Sequence, residues 1–296
     1  MVISSVEEIS FDLHSLAPLP RPQRVLMTTP DYFAVEYVIN PHMKGNIGTV
    51  DQPAAFDQWD RLADAYRTLG LEVHTIRGAE GLLDMVFCAN QTLPFITPDL
   101  SRRGVVLSRM HAPQRMDEVT WYEQFFSSIG YDAVSLPEAI DDFEGMGDAI
   151  WHPGRYMLWG GHGFRTEPSA YQFISEVLDV PVVLLSLDDP EFYHLDTCLC
   201  VLNESDAMIY PGAFSSSGRR LLNHFFDRLI EVPEAEARNL FAANAHCPDG
   251  KHVIIQKGCS NAIEALRAFD YVPVEVETSE YLKSGGSVYC MKQMFW

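Results

Sequence analysis

The sequence predicts an α/β protein built from repeated units of strand and helix. Short apolar, β-rich runs end in small or turn residues, and stretches with helical spacing lie between them. Five such β-containing units, spaced roughly 45–80 residues apart, indicate an internal repeat. An ordinary doubly wound sheet fits the same alternation, so periodicity alone leaves both architectures open. No GxGxxG follows a strand and no GxxxxGKS/T occurs, which removes the main support for a nucleotide-binding sheet.

The predicted strands form two sets, and each strand is too short to be a helix of its own. The strands of the first set begin the units: Arg24–Thr29, Gly104–Arg109, Tyr156–Gly160, Ala207–Pro211 and His252–Lys257. Those of the second set come after helices or helix-length segments: Glu72–Ile76, Ala133–Leu136, Val182–Leu185 and Val272–Val276.

Helical spacing marks four segments. Ala55–Leu69 places five apolar residues on one stripe with charged residues opposite: Phe56, Trp59, Leu62, Ala63 and Tyr66. Glu118–Ile129, Gly218–Leu229 and Ser260–Phe269 have similar spacing. The chain has no low-complexity tract, long charge block or Gly/Ser-rich linker, so we expect a single domain over residues 1–296.

Composition excludes several classes of partner. The 296 residues carry 21 Lys+Arg against 41 Asp+Glu, a formal charge of −20. Binding to nucleic acid or to an anionic membrane surface requires clustered basic residues, so we expect neither. An acidic surface attracts a small cationic substrate.

The N-terminus and the cysteines indicate a reducing compartment. MVISSVEEISFDLHS has no basic start and no long apolar run, so we expect a cytoplasmic, soluble protein. No window resembles a transmembrane helix. The six cysteines should therefore be free thiols, and without a CxxC or a second ligand pair we expect no zinc site.

Two segments carry candidate catalytic side chains. Cys290 lies in SGGSVYC, where two glycines hold a thiol near a backbone turn; it is a candidate nucleophile or a buried apolar cysteine. His194 and Asp196 lie in FYHLDTCLC, and in a strand both side chains would project from one face. That pairing suits a general acid/base beside a carboxylate for a cation, although such a histidine is also often structural.

Further candidates follow predicted strands or glycines. Glu144 and Asp148 flank glycines in FEGMGD, which allow two acids to turn towards one point and bind a guanidinium. Arg109 and Arg165 follow predicted strands and are candidates for binding a carboxylate or for surface ion pairs. Asn90 ends another β-like run and is either a ligand contact or a turn residue.

Taken together, these motifs resemble the guanidine-modifying enzyme superfamily. The order DMVFCAN, VVLSR, FEGMGD, GFRT, FYHLDTCLC and GGSVYC is similar to that of arginine deiminases, dimethylarginine dimethylaminohydrolases and amidinotransferases. EYVINP, GNI and the FEGMGD form are most similar to the arginine dihydrolase group, here without its cyclodeaminase-like extension. The resemblance implies a five-bladed α/β-propeller, the pentein fold, with pseudo-five-fold ββαβ-type units.

The resemblance also implies a role for each candidate. Cys290 would attack the guanidinium carbon and form an amidino-thioether (thiouronium) intermediate. His194 would protonate the leaving ammonia and then activate water. Binding roles fall to the remaining residues: Asp196 and Glu144 on the guanidinium, Arg109 and Arg165 on the α-carboxylate, and Asp148 beside Glu144. No metal or organic cofactor is implied, and family members often assemble into homo-oligomers.

Asn90 is the informative departure, because arginine deiminases have aspartate at this place. A neutral amide tolerates an uncharged ureido group, so we expect two successive hydrolyses that convert arginine into ornithine, two ammonia and carbon dioxide. Alternatives are single-step deimination, dimethylarginine hydrolysis and amidino transfer. A catalytically silent binding protein on the same fold is the non-enzymatic alternative, and the presence of the full catalytic set argues against it.

Overall fold

The computed structural model describes residues 1–296 as a mixed α/β fold. The strands, numbered in chain order, are β1 Val2–Ile3, β2 Pro18–Leu19, β3 Arg24–Thr28, β4 Glu72–Ile76, β5 Thr92–Ile96, β6 Arg103–Leu107, β7 Asp132–Val134, β8 Ala149–Trp151, β9 Gly154–Arg155, β10 Leu158–His162, β11 Val182–Ser186, β12 Leu199–Val201, β13 Asp206–Ile209, β14 Arg228–Glu231, β15 His252–Gln256, β16 Val272–Val276 and β17 Gln293–Phe295. The α-helices are α1 Gln52–Thr68, α2 Glu118–Ser128, α3 Gly145–Asp148, α4 Pro168–Leu178, α5 Ser216–Phe225, α6 Glu234–Leu240, α7 Ser260–Ala268 and α8 Ser279–Leu282. Six short 3-10 turns complete the structure.

Five sheets share one strand order. Each has an antiparallel pair, then a helix, then a strand parallel to the one before the helix: β17-β3-β4, β5-β6-β7, β8-β10-β11, β12-β13-β14 and β15-β16, where an antiparallel bridge from His246 to Ile254 replaces the first strand. The α/β class is confirmed. Closure of these units into a propeller stays a prediction.

Helix α1 shows how sequence fixes a unit. The Asp51 carboxylate caps the helix by accepting from the backbone N–H of Ala54 at 3.1 Å. Trp59, Leu62, Ala63 and Tyr66 are buried as predicted, whereas Phe56 is 38 % exposed. The predicted stripe was wrong at that position, because Ala55 occupies the helix face that meets the core.

Both ends of every predicted strand are confirmed to within two residues, but the helix predicted over Gly218–Leu229 was too long. Helix α5 ends at Phe225, and β14 begins at Arg228. The Phe226 ring stacks on Trp159 with ring centroids 5.0 Å apart, and Ser205 O accepts from the backbone N–H groups of Asp227 and Arg228. These contacts turn the chain into a strand parallel to β13.

Strand β17 joins distant parts of the chain. Gln293, Met294 and Phe295 pair with Leu26, Val25 and Arg24 of β3, so the first sheet is completed by residues from the other end of the described chain. One hydrophobic cluster extends from Ile3 to Met294 and contacts all five of these sheets.

The six cysteines are free, as predicted. None of the helices combines the length and hydrophobicity needed to cross a bilayer.

Candidate active site

The predicted residues converge because they occupy equivalent positions in different units. Asn90 precedes β5, Glu144 precedes β8, His194 and Asp196 precede β12, and Cys290 precedes β17. In each case the residue lies shortly before the first strand of its sheet. A pocket opens over these segments. Its lining includes Asn90, Arg165 and Cys290 but not Glu144, His194 or Asp196, which are buried.

Cys290 is held between a carboxylate and an amide. Its Sγ donates to Asp196 Oδ2 at 3.1 Å and accepts from Asn244 Nδ2 at 3.2 Å. Asn244 Oδ1 also accepts from the backbone N–H of Ser287 at 3.1 Å, which fixes the SGGSVYC turn. The other Asp196 oxygen, Oδ1, is buried and has no hydrogen-bond partner. A bound cation with N–H groups would satisfy it.

The electrostatics keep the thiol neutral in the free protein. Burial, then the neighbouring Asp196 carboxylate, raise the pKa of Cys290 well above its ordinary value. Burial also raises the pKa of Asp196, to about 7. A cation bound beside both groups would lower both pKa values.

Glu144, His194 and Arg165 form a buried charged group. His194 Nε2 lies 2.6 Å from Glu144 Oε2, and Arg165 Nη1 donates to both carboxylate oxygens at 3.3 Å. Burial alone would raise the pKa of Glu144, but the charges of Arg165 and His194 outweigh it and hold the pKa below its ordinary value. Glu144 is therefore a buried anion whose oxygens are occupied by Arg165, His194 and the backbone N–H of His111.

Gly145 brings the Glu144 segment against the Asn90 segment. Its φ is +51°, and a Cβ there would lie 2.6 Å from Thr92 O and 2.7 Å from Asn90 O. Only glycine combines this backbone conformation with so close an approach. The role predicted for the FEGMGD glycines therefore holds at Gly145, whereas at Gly147 the requirement is space beside the Asn90 amide.

The Asn90 amide has a fixed orientation. Arg115 Nη1 donates to Asn90 Oδ1 at 2.9 Å, so Asn90 Nδ2 faces the His194 ring, 3.5 Å from Nδ1. Arg115 is itself buried and paired with Glu118, 2.9 Å away. Burial alone would lower the pKa of Arg115, but the charges of Glu118 and Asp84 outweigh it and raise the pKa above its ordinary value, so the guanidinium stays charged.

The strand predicted for His194 and Asp196 was wrong. Leu195–Thr197 is a 3-10 turn, and β12 begins only at Leu199. Thr197 Oγ1 donates to His194 O at 2.6 Å, and the Asp148 carboxylate accepts from the backbone N–H of Leu195 at 3.0 Å. The turn sends the two side chains to different partners, His194 to Glu144 and Asp196 to Cys290.

Asp148 and Arg109 differ from the other predicted residues. Asp148 supports the His194 turn and accepts from Thr166 Oγ1 at 2.7 Å; burial raises its pKa to about 6. The Arg109 guanidinium bonds only to backbone carbonyls between Leu136 and Ile140, including Pro137 O at 3.0 Å. It does not line the pocket, so the structure gives no support for its predicted contact with a carboxylate.

Sequence reasoning missed four residues of the site: Asp84, Arg115, Tyr193 and Asn244. Asn244 is the equivalent of Asn90 in the fifth unit. It lies two residues before the bridge residue His246, as Asn90 lies two residues before β5. Counting back from a predicted first strand could not have found it, because a bridge at His246 replaces that strand in the fifth unit. Asp84 opens the DMVFCAN motif but was not singled out from it, and Arg115 lies in none of the quoted motifs; both line the pocket. No cluster of His, Cys, Asp and Glu side chains is arranged to hold a metal ion.

Comparison with known proteins places the chain among hydrolases that act on guanidino C–N bonds, within the guanidine-modifying superfamily. A family model described as "N,N dimethylarginine dimethylhydrolase, eukaryotic" matches residues 30–295. The chain belongs to this family. A dimethylarginine dimethylaminohydrolase of Mycobacterium tuberculosis is 40% identical over 92% of this chain and 85% of the relative.

Other relatives are arginine dihydrolases. The bifunctional arginine dihydrolase/ornithine cyclodeaminase ArgZ of Synechocystis is 36% identical over 90% of this chain, and the match spans 37% of the relative's length. The solved N-terminal domain of ArgZ, as a Cys-to-Ser mutant bound to substrate, gives a TM-score of 0.85 at 35% identity and covers 92% of this chain and 97% of that domain. The family is thus established, while the particular reaction is not resolved by identity.

Proposed function

We propose that this protein is an arginine dihydrolase, which converts arginine into ornithine, two ammonia and carbon dioxide in two hydrolytic steps. The observation that carries the proposal is the neutral Asn90 amide, held by Arg115 beside His194. An amide at this place binds a cationic guanidinium and an uncharged ureido group, because it adds no charge that favours the first over the second. ArgZ and AgrE, which resemble this chain at 35–36% identity, are named as arginine dihydrolases.

The first step begins with substrate-assisted activation of the thiol. A guanidinium beside Asp196 Oδ1 and Glu144 offsets the charges that keep Cys290 protonated. The Cys290 thiolate attacks the guanidinium carbon and forms an S–C bond. His194, oriented by Glu144, donates a proton to the nitrogen that leaves as ammonia.

Hydrolysis completes each cycle. Water, deprotonated by His194, attacks the carbon of the thioether, and the S–C bond breaks to return the Cys290 thiol and citrulline. A second cycle on the citrulline ureido carbon releases the second ammonia and a carbamate, which loses carbon dioxide to give ornithine. The chain's own side chains supply every proton transfer, and two water molecules are consumed per arginine.

The amino-acid end of the substrate requires charges of both signs. Arg165 lines the pocket and is the candidate for the α-carboxylate, while Asp84 and the carbonyl of Ile39 are the candidates for the α-ammonium. Arg109 would join them only after leaving the carbonyls of the 136–140 loop. We also propose that the five units close into one propeller domain over residues 1–296. Hydrogen bonds link one segment of each unit around Cys290: Asn244, Asp196 with His194, Glu144 and Asn90.

Product analysis tests the proposal. Purified protein is incubated with arginine, and ornithine, citrulline and ammonia are quantified by mass spectrometry. We expect ornithine with two ammonia and little citrulline. Asn90→Asp adds a carboxylate that pairs with Arg115 and favours the cationic substrate, so citrulline should accumulate and the ornithine-to-citrulline ratio should fall by about tenfold or more.

Asn223→Asp, which adds the same charge on the exposed face of α5, is the matched control and should keep the wild-type ratio. Citrulline alone from the wild-type protein, or unchanged ornithine output from Asn90→Asp, contradicts the proposal.

Dimethylarginine hydrolysis is the second candidate, favoured by the 40% identity to the M. tuberculosis relative. A parallel assay with dimethylarginine, in which dimethylamine is measured, decides between them.

A further inference from the structure

Asn244 is a fully buried side chain whose four hydrogen bonds all go to the nucleophile or to its neighbours. Its Nδ2 lies 3.2 Å from Cys290 Sγ and 2.8 Å from the backbone oxygen of Asp196. Its Oδ1 accepts from the backbone N–H of Ser287 at 3.1 Å and from that of Cys290 at 3.4 Å. Two donors and two acceptor positions are the full capacity of an amide, so every hydrogen-bonding position of Asn244 is in use.

The orientation of this amide is fixed by partners that can act in one way only. A carbonyl oxygen only accepts and a backbone N–H only donates, so the Asp196 carbonyl must face Nδ2 and the Ser287 N–H must face Oδ1. A flipped amide would set oxygen against oxygen at Asp196 and N–H against N–H at Ser287. The group that Asn244 presents to Cys290 Sγ is therefore an N–H donor.

The two side chains that hydrogen-bond to this sulfur act on it in opposite senses. Asp196 Oδ2 accepts the thiol proton at 3.1 Å and so favours the neutral thiol. Asn244 donates to the sulfur, and a donor binds the charged thiolate more strongly than the neutral thiol. Burial and the Asp196 carboxylate raise the pKa of Cys290, and the Ser287 N–H and the Asn244 amide act against them. Three further titratable groups face the thiol without hydrogen-bonding to its sulfur: Tyr193, Tyr289 and Lys292.

We propose that Asn244 is a catalytic residue, whose Nδ2 hydrogen bond stabilises the thiolate form of Cys290. The inference rests on the nucleophilic role of Cys290 in the proposed function. The thiolate occurs twice in each hydrolytic cycle: before its electron pair forms the S–C bond, and again when that bond breaks and the pair returns to sulfur. In the thioether between these points the sulfur is a weaker acceptor. Asn244 thus favours the charged form of sulfur at the start and at the end of the covalent chemistry.

The rate at which iodoacetamide alkylates Cys290 in the absence of arginine, followed by mass spectrometry, tests the inference. Asn244→Ala removes the donor and opens space beside the sulfur. Loss of the donor lowers the thiolate fraction, so alkylation between pH 7 and 9 should be about three- to tenfold slower than in the wild-type protein. A role confined to holding the turn predicts the reverse, because a loosened turn exposes the thiol. The kcat for arginine should fall about tenfold or more.

Asn244→Asp is a second variant, so the test stands if one of the two does not fold. It keeps an oxygen for the Ser287 N–H but has at most one donor where the amide has two, and it should slow alkylation in the same way. Thr278→Val is the matched control. Thr278 Oγ1 lies 2.7 Å from Ser287 Oγ, so the change loosens the same turn and leaves the donor to the thiol in place. Its alkylation rate should equal or exceed that of the wild-type protein.

The inference is overturned if Asn244→Ala and Asn244→Asp are alkylated as fast as the wild-type protein or faster, or if Thr278→Val is slowed as much as they are. Failure of the proposed function is a separate result. If the wild-type protein forms neither ornithine nor citrulline from arginine, the reaction is wrong, and the alkylation rates still decide whether Asn244 stabilises the thiolate.

Discussion

Asp196 is a buried carboxylate with one unsatisfied oxygen beside the nucleophile. Its Oδ2 faces the Cys290 thiol, its Oδ1 has no partner, and burial raises its pKa to about 7. The free protein thus holds an unreactive thiol next to an unsatisfied acceptor. Both conditions are relieved by the same ligand, a cation that donates hydrogen bonds, so thiol reactivity is tied to substrate binding.

Replacing this carboxylate should separate thiol reactivity from catalysis. In Asp196→Asn the anion that raises the pKa of Cys290 is gone, so alkylation of the free enzyme by iodoacetamide at pH 7 should become severalfold faster. Arginine hydrolysis should fall by about 100-fold or more, because the guanidinium loses its partner. Alkylation is measured at Cys290 by mass spectrometry.

Asp84→Asn is the control for a neutralised carboxylate in the pocket that does not touch the thiol, and its alkylation rate should match that of the wild-type protein. Equal alkylation rates for Asp196→Asn and wild type would mean that burial alone keeps the thiol protonated.

At the scale of elements, the site depends on the short segments before the first strand of each sheet. Residue types in these segments were predicted from sequence, including Cys290, His194 and Glu144. Their geometry was not, because the 3-10 turn at Leu195–Thr197 is fixed by Asp148 from another unit, and a local pattern contains no information on that contact. Arg109 illustrates the same limit: its strand was predicted, but the carbonyls that hold its guanidinium belong to a distant loop.

Gly145 tests how closely two of these segments must approach. In Gly145→Ala the new Cβ meets the carbonyl oxygens of Asn90 and Thr92 in a left-handed conformation. We expect a loss of roughly 2–4 kcal/mol in the free energy of unfolding and a fall in kcat, measured by urea denaturation and arginine hydrolysis. Gly130→Ala has a similar left-handed φ of +81° but open space around it, and should cost only about 1 kcal/mol with activity retained. Similar losses for the two variants would contradict the close-approach argument.

At the scale of the whole molecule, Lys292 makes stability depend on pH. Burial lowers its pKa to about 7 from 10.5. The unfolded chain therefore binds this proton more tightly than the folded protein, and stability is lost as the pH falls from 10.5 to about 7. Asp148, with its pKa raised to about 6, acts in the opposite sense, and its contribution is lost as the pH rises from 3.8 through 6.

Lys292→Met isolates the lysine contribution. The variant should melt higher than the wild-type protein by roughly 5 °C or more at pH 6.5, because no ammonium is desolvated, and the difference should shrink as the pH approaches 10. The difference in melting temperature is measured by thermal unfolding followed by circular dichroism. Lys257→Met, at an exposed lysine, should leave the melting temperature unchanged at both pH values. A difference that is constant across this pH range would show that packing rather than charge is responsible.

The pairing of β17 with β3 has a consequence for how activity is gained and lost. Cys290 lies three residues before a strand whose sheet partners are more than two hundred residues away, so its position depends on contacts of very high sequence separation as well as on Asn244 and Asp196. Such contacts close late in folding, because the entropy of the intervening loop must be overcome first. Turnover should therefore report the pairing of β17 with β3: detachment of β17 is expected to displace Cys290 and abolish activity, while the hydrogen bonds within the other sheets remain.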